Sequence, residues 1–273
     1  EGCDLGADNP LCRSCALQFP RQLAAGQAHA CLLRDGAAYC WGQNSQGQVT
    51  GQITRAAIPS PHRFGASGVS VIAVGDRHSC LLAGRNTHCF GRPEDYQLFN
   101  SDFRCGTSHN TRWTDFNLED LVAGGDASCL QRGSQGSGSA GWLCSGRLSG
   151  IHLLNSVQRV GDEEQATKIV LGGSHFCITG PRGAYCAGNN SLGAISDDPS
   201  NPSQLTPIGV EPGLRLALGN NVTCYITADE RVRCRGDYQH GRLGRGGSGR
   251  CSENCARGWA EVTNLSEVAT VSI

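Results

Sequence analysis

A nine-residue phrase recurs five times along this chain, and its period constrains the fold more than any other feature. Leu23 to Cys31 carries Gly26 and His29. The phrase returns as Ile72 to Cys80 with Gly75 and His78, and as Leu121 to Cys129 with Gly124. It returns again as Ile169 to Cys177 with Gly172 and His175, and as Leu216 to Cys224 with Gly219. Successive glycines stand 49, 49, 48 and 47 residues apart. A second element follows each phrase: Cys40-Trp41-Gly42, Cys89-Phe90-Gly91, Cys144-Ser145-Gly146, Cys186-Ala187-Gly188 and Cys234-Arg235-Gly236. Units of this size stack their apolar faces on their neighbours, because one unit cannot enclose a core alone.

Between its two cysteines each unit reads as a hairpin. Asp35-Gly36 is a type I′ turn signal, and counting outward from it sets Cys31 opposite Cys40. Gly84-Arg85 suits a type II′ turn and sets Cys80 opposite Cys89. Gly180-Pro181-Arg182-Gly183 places proline where its fixed φ belongs and opposes Cys177 to Cys186. A three-residue loop, Ala228-Asp229-Glu230, opposes Cys224 to Cys234. The third unit is the outlier: Gly133 to Gly141 is a Gly/Ser-rich insertion, across which Cys129 and Cys144 still pair. Opposed β-carbons in an antiparallel pair lie close to disulfide reach, so the expectation is one bridge per unit. Zinc is the competing use of cysteine, but knuckles want two close pairs, and C-x₂-C occurs here only as Cys12-Arg13-Ser14-Cys15. The other six cysteines, Cys3, Cys12, Cys15, Cys105, Cys251 and Cys255, allow 15 connectivities. A local bridge between Cys251 and Cys255 is expected.

A polar stretch and a short strand complete each unit, as in Pro61 to Phe64, Trp113 to Phe116, Val157 to Val160 and Leu205 to Ile208. Four short strands per unit, with no convincing amphipathic helix, predict an all-β chain: a β-propeller of four-stranded blades. The run Leu23 to Leu33, continued by Asp35 to Gln48, resembles a repeat of the regulator of chromosome condensation family. Its Cys-paired form is similar to the extracellular repeats of plant crinkly-type receptor kinases. The resemblance covers about residues 21–273 and implies a propeller, with repeats at about 21–68, 69–117, 118–165, 166–212 and 213–264. Residues 1–20 form a Cys-containing N-terminal segment. Glu267 to Ile273 matches the opening strand of a sixth repeat, which begins at 265. The chain starts at Glu1 without an initiator Met and reads as part of a longer protein.

Composition supports export. Sixteen cysteines in a chain of net charge −1 suit an oxidising compartment, and aromatic residues are only 6% of the chain, so cross-links supplement a core of small side chains. The same charge excludes binding to nucleic acid through a strongly basic surface. No apolar stretch approaches the roughly 20 residues that a membrane-spanning helix needs. Asn189, Asn221 and Asn264 begin N-x-[ST] sequons, which matter in a eukaryotic secretory pathway.

Catalytic patterns are missing: the sequence holds no H-E-x-x-H, no G-x-S-x-G and no P-loop. Gly244 to Gly249 fits G-x-G-x-x-G, but no βαβ unit surrounds it. His29, His78 and His175 share one repeat position, replaced by Ala127 and Val222 elsewhere. Blades hold equivalent residues far apart, so a structural hydrogen bond is expected of them and no metal or cofactor. The charge feature of interest is Arg231, Arg233 and Arg235, which alternate on one side of a strand. Arg242, Arg245 and Arg250 follow, against Asp237 as the only acid between 231 and 250. The expectation is a non-enzymatic module outside the cell that engages a protein or an acidic glycan, or other copies of itself, through loops and rim. Alternatives are a secreted enzyme inhibitor and a polysaccharide-acting propeller enzyme.

Overall fold

The structure, a computed structural model, describes residues 12–13, 16–17, 22–92, 97–99, 118–133, 141–148, 151–160, 166–198, 200, 204–244 and 258–271. A short hairpin pairs β1 (Cys12–Arg13) with β2 (Ala16–Leu17). Five antiparallel sheets follow in chain order. Blade 1 is β3 (Gln22–Ala25), β4 (His29–Arg34), β5 (Ala37–Gly42) and β6 (Ile58–Arg63). Blade 2 has three described strands, β7 (Val69–Val74), β8 (His78–Ala83) and β9 (Asn86–Gly91). The fourth strand expected at Trp113 to Phe116 lies outside the described residues. Blade 3 is β10 (Leu118–Gly124), β11 (Asp126–Arg132), β12 (Gly141–Leu148) and β13 (Ile151–Val160). Blade 4 is β14 (Lys168–Leu171), β15 (His175–Gly180), β16 (Gly183–Gly188) and β17 (Thr206–Pro207). Blade 5 is β18 (Leu216–Leu218), β19 (Val222–Ile226), β20 (Val232–Gly236) and β21 (Ala260–Glu261).

The hairpin registers are those that the turns dictate. Asp35 and Gly36 have φ of 51° and 71°, as a type I′ turn requires. Cys31 faces Cys40, Cys80 faces Cys89, Cys129 faces Cys144, Cys177 faces Cys186 and Cys224 faces Cys234, each pair with Cα atoms 4.1 Å apart. All five pairs are disulfides. The bridged residues are 9 to 15 positions apart, which constrains the unfolded chain by about 3 kcal/mol per bridge. Cys251 and Cys255 lie outside the described residues.

Innermost strands neighbour one another in sequence, β3 with β7, β7 with β10, β10 with β14 and β14 with β18. The core lies between blades. The Cys31–Cys40 face of blade 1 packs on Val69, Ile72, Leu81 and Phe90 of blade 2. Cys80 and Cys89 pack on Leu121 and Leu130, Cys129 and Cys144 on Ile169 and Phe176, and Cys177 and Cys186 on Leu218 and Tyr225. The disulfides of blades 1 to 4 therefore lie in the surfaces on which the next blade sits. The recurring glycine answers to the hub: a β-carbon on Gly26 would lie 2.0 Å from Gly75 O, and one on Gly172 would lie 2.5 Å from Gly219 O.

Residues 265–271 lie on the disulfide face of blade 5, where Val268 and Val271 pack against the cluster holding Cys224 and Cys234. Val268 N donates to Glu230 O (3.0 Å), as Val69 N does to Gly36 O (2.9 Å) at the entry to blade 2. Arg215 Nη1 donates to Ala269 O, as Gln22 Nε2 does to Ile72 O.

Candidate functional site

The repeated histidines join blades. His29 Nε2 lies 2.9 Å from Ser79 Oγ, His78 Nε2 lies 2.8 Å from Ser128 Oγ, and His175 Nε2 lies 2.6 Å from Thr223 Oγ1. Each hydroxyl belongs to the following blade, one residue before its first bridged cysteine. Ser79 Oγ donates to Gln48 O at 2.8 Å, so it accepts from His29 Nε2, which fixes the proton on that ring nitrogen. Burial pushes all three imidazoles below their usual range, to about 4 for His29, about 3 for His78 and about 4 for His175. They are neutral structural groups. Blade 3 carries Ala127 in place of histidine, and blade 4 correspondingly carries Phe176 in place of the hydroxyl; the two share one apolar cluster. Sequence reasoning found the histidines but missed their partners, although the paired loss of histidine and hydroxyl at this junction was a readable signal.

The loops joining third to fourth strands share one rim, because equivalent strands run the same way in every blade. Two of these loops are organised by a fully buried asparagine that sequence reasoning also passed over. Asn44 Oδ1 accepts from Val49 N (2.9 Å) and Thr50 N (3.2 Å), while Nδ2 donates to Gln52 O and Thr54 Oγ1, both at 2.9 Å. Asn190 repeats the arrangement: Oδ1 accepts from Ile195 N (2.7 Å) and Ser196 N (3.1 Å), and Nδ2 donates to Ser196 Oγ (2.9 Å). The readable signal was Asn two residues after the Cys-x-Gly glycine in both blades. Ile53, 66% exposed, and Leu192, 38% exposed, stand on these pinned loops, and Tyr238, 38% exposed, stands on the corresponding loop of blade 5.

The three arginines of the fifth blade differ in their surroundings. Arg235 is 5% exposed and turned into the junction with blade 4, where Nε donates to Gly193 O (2.9 Å) and Nη2 to Asp197 Oδ1 (2.6 Å). Its guanidinium carbon sits 5.2 Å from the centre of the Trp259 ring. Arg231 Nη1 meets Glu261 Oε1 at 2.5 Å, and Arg233 Nη2 lies 3.9 Å from Glu261 Oε2. Arg242 pairs with Asp237. Alternation does place Arg231 and Arg233 together, but a carboxylate from the outermost strand neutralises them, and a neighbouring blade covers Arg235. Arg245 lies outside the described residues.

Of the three sequons, Asn264 alone exposes both its asparagine and its hydroxyl residue, Ser266. Asn189 is half-buried, with Oδ1 accepting from Ser191 N and Oγ at 2.9 and 2.7 Å. Asn221 Oδ1 accepts from Ser174 Oγ (3.0 Å), and its sequon hydroxyl, Thr223, is buried in the bond to His175. Among the described residues no three His, Cys, Asp or Glu side chains gather to hold a metal, and no helix is long and apolar enough to cross a membrane.

Residues 21–48 match the family model of the Regulator of chromosome condensation (RCC1) repeat. Comparison with curated protein sequences returns no match. Several solved structures share the fold. Human WBSCR16 superposes with a TM-score of 0.69 at 18% identity, over 90% of this chain and 68% of that one. Prp20p of Saccharomyces cerevisiae gives 0.60 at 17% identity, over 77% of this chain and 56% of that one. The ectodomain of the Physcomitrella patens receptor kinase CR4 gives 0.52 at 19% identity, over 82% and 53%. The chain thus spans between about half and two thirds of each, and the likeness is one of fold.

Proposed function

We propose that this RCC1-like repeat propeller is a non-catalytic binding module, exported from the cell, that grips a protein partner with the rim carrying Ile53, Leu192 and Tyr238. The observation that carries the reading is the pairing of rigidity with exposure on that rim. Asn44 and Asn190 hold two of its loops with buried hydrogen bonds, and Arg235 braces the second from blade 5, yet three of the five exposed large apolar residues among the described residues stand on that rim. Pre-organised loops with exposed apolar side chains suit a protein interface, since little order is lost on binding. The yeast neighbour Prp20p has binding properties toward Gsp1p and histones, and it is bound by Kap60. The moss neighbour is a receptor ectodomain. Five disulfides among the described residues support an oxidising compartment. An acidic glycan is the less favoured partner, because Glu261, Asp197 and Asp237 occupy the arginines that would have held it.

The test is capture on an array of secreted and cell-surface proteins printed beside heparin and other acidic glycans. The reading expects saturable binding to a protein, weakened at least about tenfold by the combined substitution Ile53→Ser, Leu192→Ser and Tyr238→Ser. Binding only to heparin, or protein binding unaffected by the triple substitution, would discard the rim.

A further inference from the structure

We infer that Asn264 is an acceptor for an N-linked glycan, and that the fold leaves it as the one usable acceptor among the chain's three sequons. The inference rests on the export proposed above, because the glycan donor belongs to the secretory pathway. A sequon is usable in a folded chain where all three of its residues can be reached, since the transferase engages the asparagine amide and the hydroxyl residue together. Asn264, Leu265 and Ser266 are all exposed, and Asn264 sits in a turn with φ of 61°, a left-handed conformation that asparagine adopts readily. The backbone is anchored on both sides, by Thr263 N to Gly244 O and by Val268 N to Glu230 O, each at 3.0 Å, so residues 264–267 stand out as an exposed link. The other two sequons are closed. The middle residue of the first is Asn190, fully buried, whose side chain holds the backbone of Ile195 and Ser196. The second runs into β19: Val222 and Thr223 are buried, and Asn221 O accepts from Asp237 N at 2.8 Å.

The exposure of Asn264 belongs to its place in the repeat. Val268 is the counterpart of Val69, which makes residues 264–266 the counterpart of 65–67. That stretch links blade 1 to blade 2 with blade 2 in place, yet Gly65 and Ser67 are exposed and a β-carbon on Gly65 would meet nothing within 4 Å. Glu211 to Gly213, in the link between blades 4 and 5, are exposed as well. A link at this position therefore keeps its exposure when a further blade follows it. Leu265, the middle residue of the sequon, is 46% exposed and is one of five exposed large apolar side chains among the described residues; the first sugars of a glycan on Asn264 would lie over it. β21 runs away from the rim that carries Tyr238, so the glycan stands at the other end of blade 5 and leaves that rim bare. In the reaction, Asn264 Nδ2 bonds to the first sugar carbon of a lipid-linked oligosaccharyl pyrophosphate and the bond from that carbon to the pyrophosphate oxygen breaks. The lipid pyrophosphate departs, and the amide proton passes to a base of the oligosaccharyltransferase.

The test is transfer to the folded, disulfide-bonded chain by a purified oligosaccharyltransferase, with a lipid-pyrophosphate-linked oligosaccharide as donor. Intact mass counts the glycans, and the asparagine-to-aspartate conversion left by a peptide N-glycosidase in heavy-oxygen water places them. The expected product carries one glycan, at Asn264; Asn264→Gln and Ser266→Ala each abolish it, and Asn189→Gln combined with Asn221→Gln leaves it unchanged. The reduced, unfolded chain should accept at Asn189 and Asn221 as well. No transfer to the folded chain, or a glycan at Asn189 or Asn221 in that state, would overturn the inference, and a choice of Asn264 alone in the unfolded chain would show that the fold does not make the selection. Transfer is measured without secretion, so an acceptor at Asn264 in a chain that cells retain would discard export alone. The triple rim substitution leaves the occupancy unchanged, which keeps loss of the rim and loss of the acceptor as separate results.

Discussion

His29, His78 and His175 tie the stability of the molecule to pH with a definite sign. Each is neutral in the fold, with its pKa pushed by burial to about 4, about 3 and about 4, while the unfolded chain protonates near 6.5. Between those values the unfolded state binds more protons, so stability is full above about pH 6.5 and is lost as pH falls toward about 4. Three such groups give a slope of up to about 4 kcal/mol per pH unit. Thermal melts from pH 7.5 to 4 should show that decline, and His78→Gln should make it shallower by about a third. Ring resonances titrating near pH 6.5 in the folded protein would contradict this. The recurrence of the histidines was legible in the sequence. Their bonding across blades was not, because the partner hydroxyls stand 48 to 50 residues further on, and only the packing of one blade on the next joins them.

Strands in this molecule do not obey the rule that alternate residues face water. The middle strands β8, β15 and β19 have every residue buried, so both of their faces are interior, whereas the outer strand β6 is exposed along its last five residues. That is why period-2 counting identified the side on which Arg231, Arg233 and Arg235 lie yet misjudged what meets it. Hairpin registers were legible because a turn of known length fixes them within a dozen residues. Fourth strands are short: β17, within the expected Leu205 to Ile208, and β21 have two residues each. The contrast within β20 is measurable. Arg235→Ser leaves the carboxylate of Asp197 and the carbonyl of Gly193 without their donor, and should cost about 2 kcal/mol. Arg231→Ser and Arg233→Ser, in exposed pairs, should cost less than about 1 kcal/mol each. Chemical denaturation that ranked the three alike would refute the buried brace.

The whole molecule depends on how closely its blades approach at the hub. A β-carbon on Gly75 would lie 2.1 Å from His78 Cε1 and 2.8 Å from Gly125 O, so Gly75→Ala must separate blades 2 and 3 and should cost about 3 kcal/mol. Gly65, with nothing within 4 Å, serves as the control, and Gly65→Ala should change stability by no more than about 0.5 kcal/mol. Equal melting temperatures for the two variants would remove the hub from the account. The central claim is that each blade is pinned by its own cystine and that blades 1 to 4 offer that cystine to the blade after them. Peptide mapping by mass spectrometry without reduction tests it most directly. Linked peptides joining Cys31 to Cys40, Cys80 to Cys89, Cys129 to Cys144, Cys177 to Cys186 and Cys224 to Cys234 are the predicted result, whereas free thiols at these positions, or bridges running from one blade to another, would contradict it.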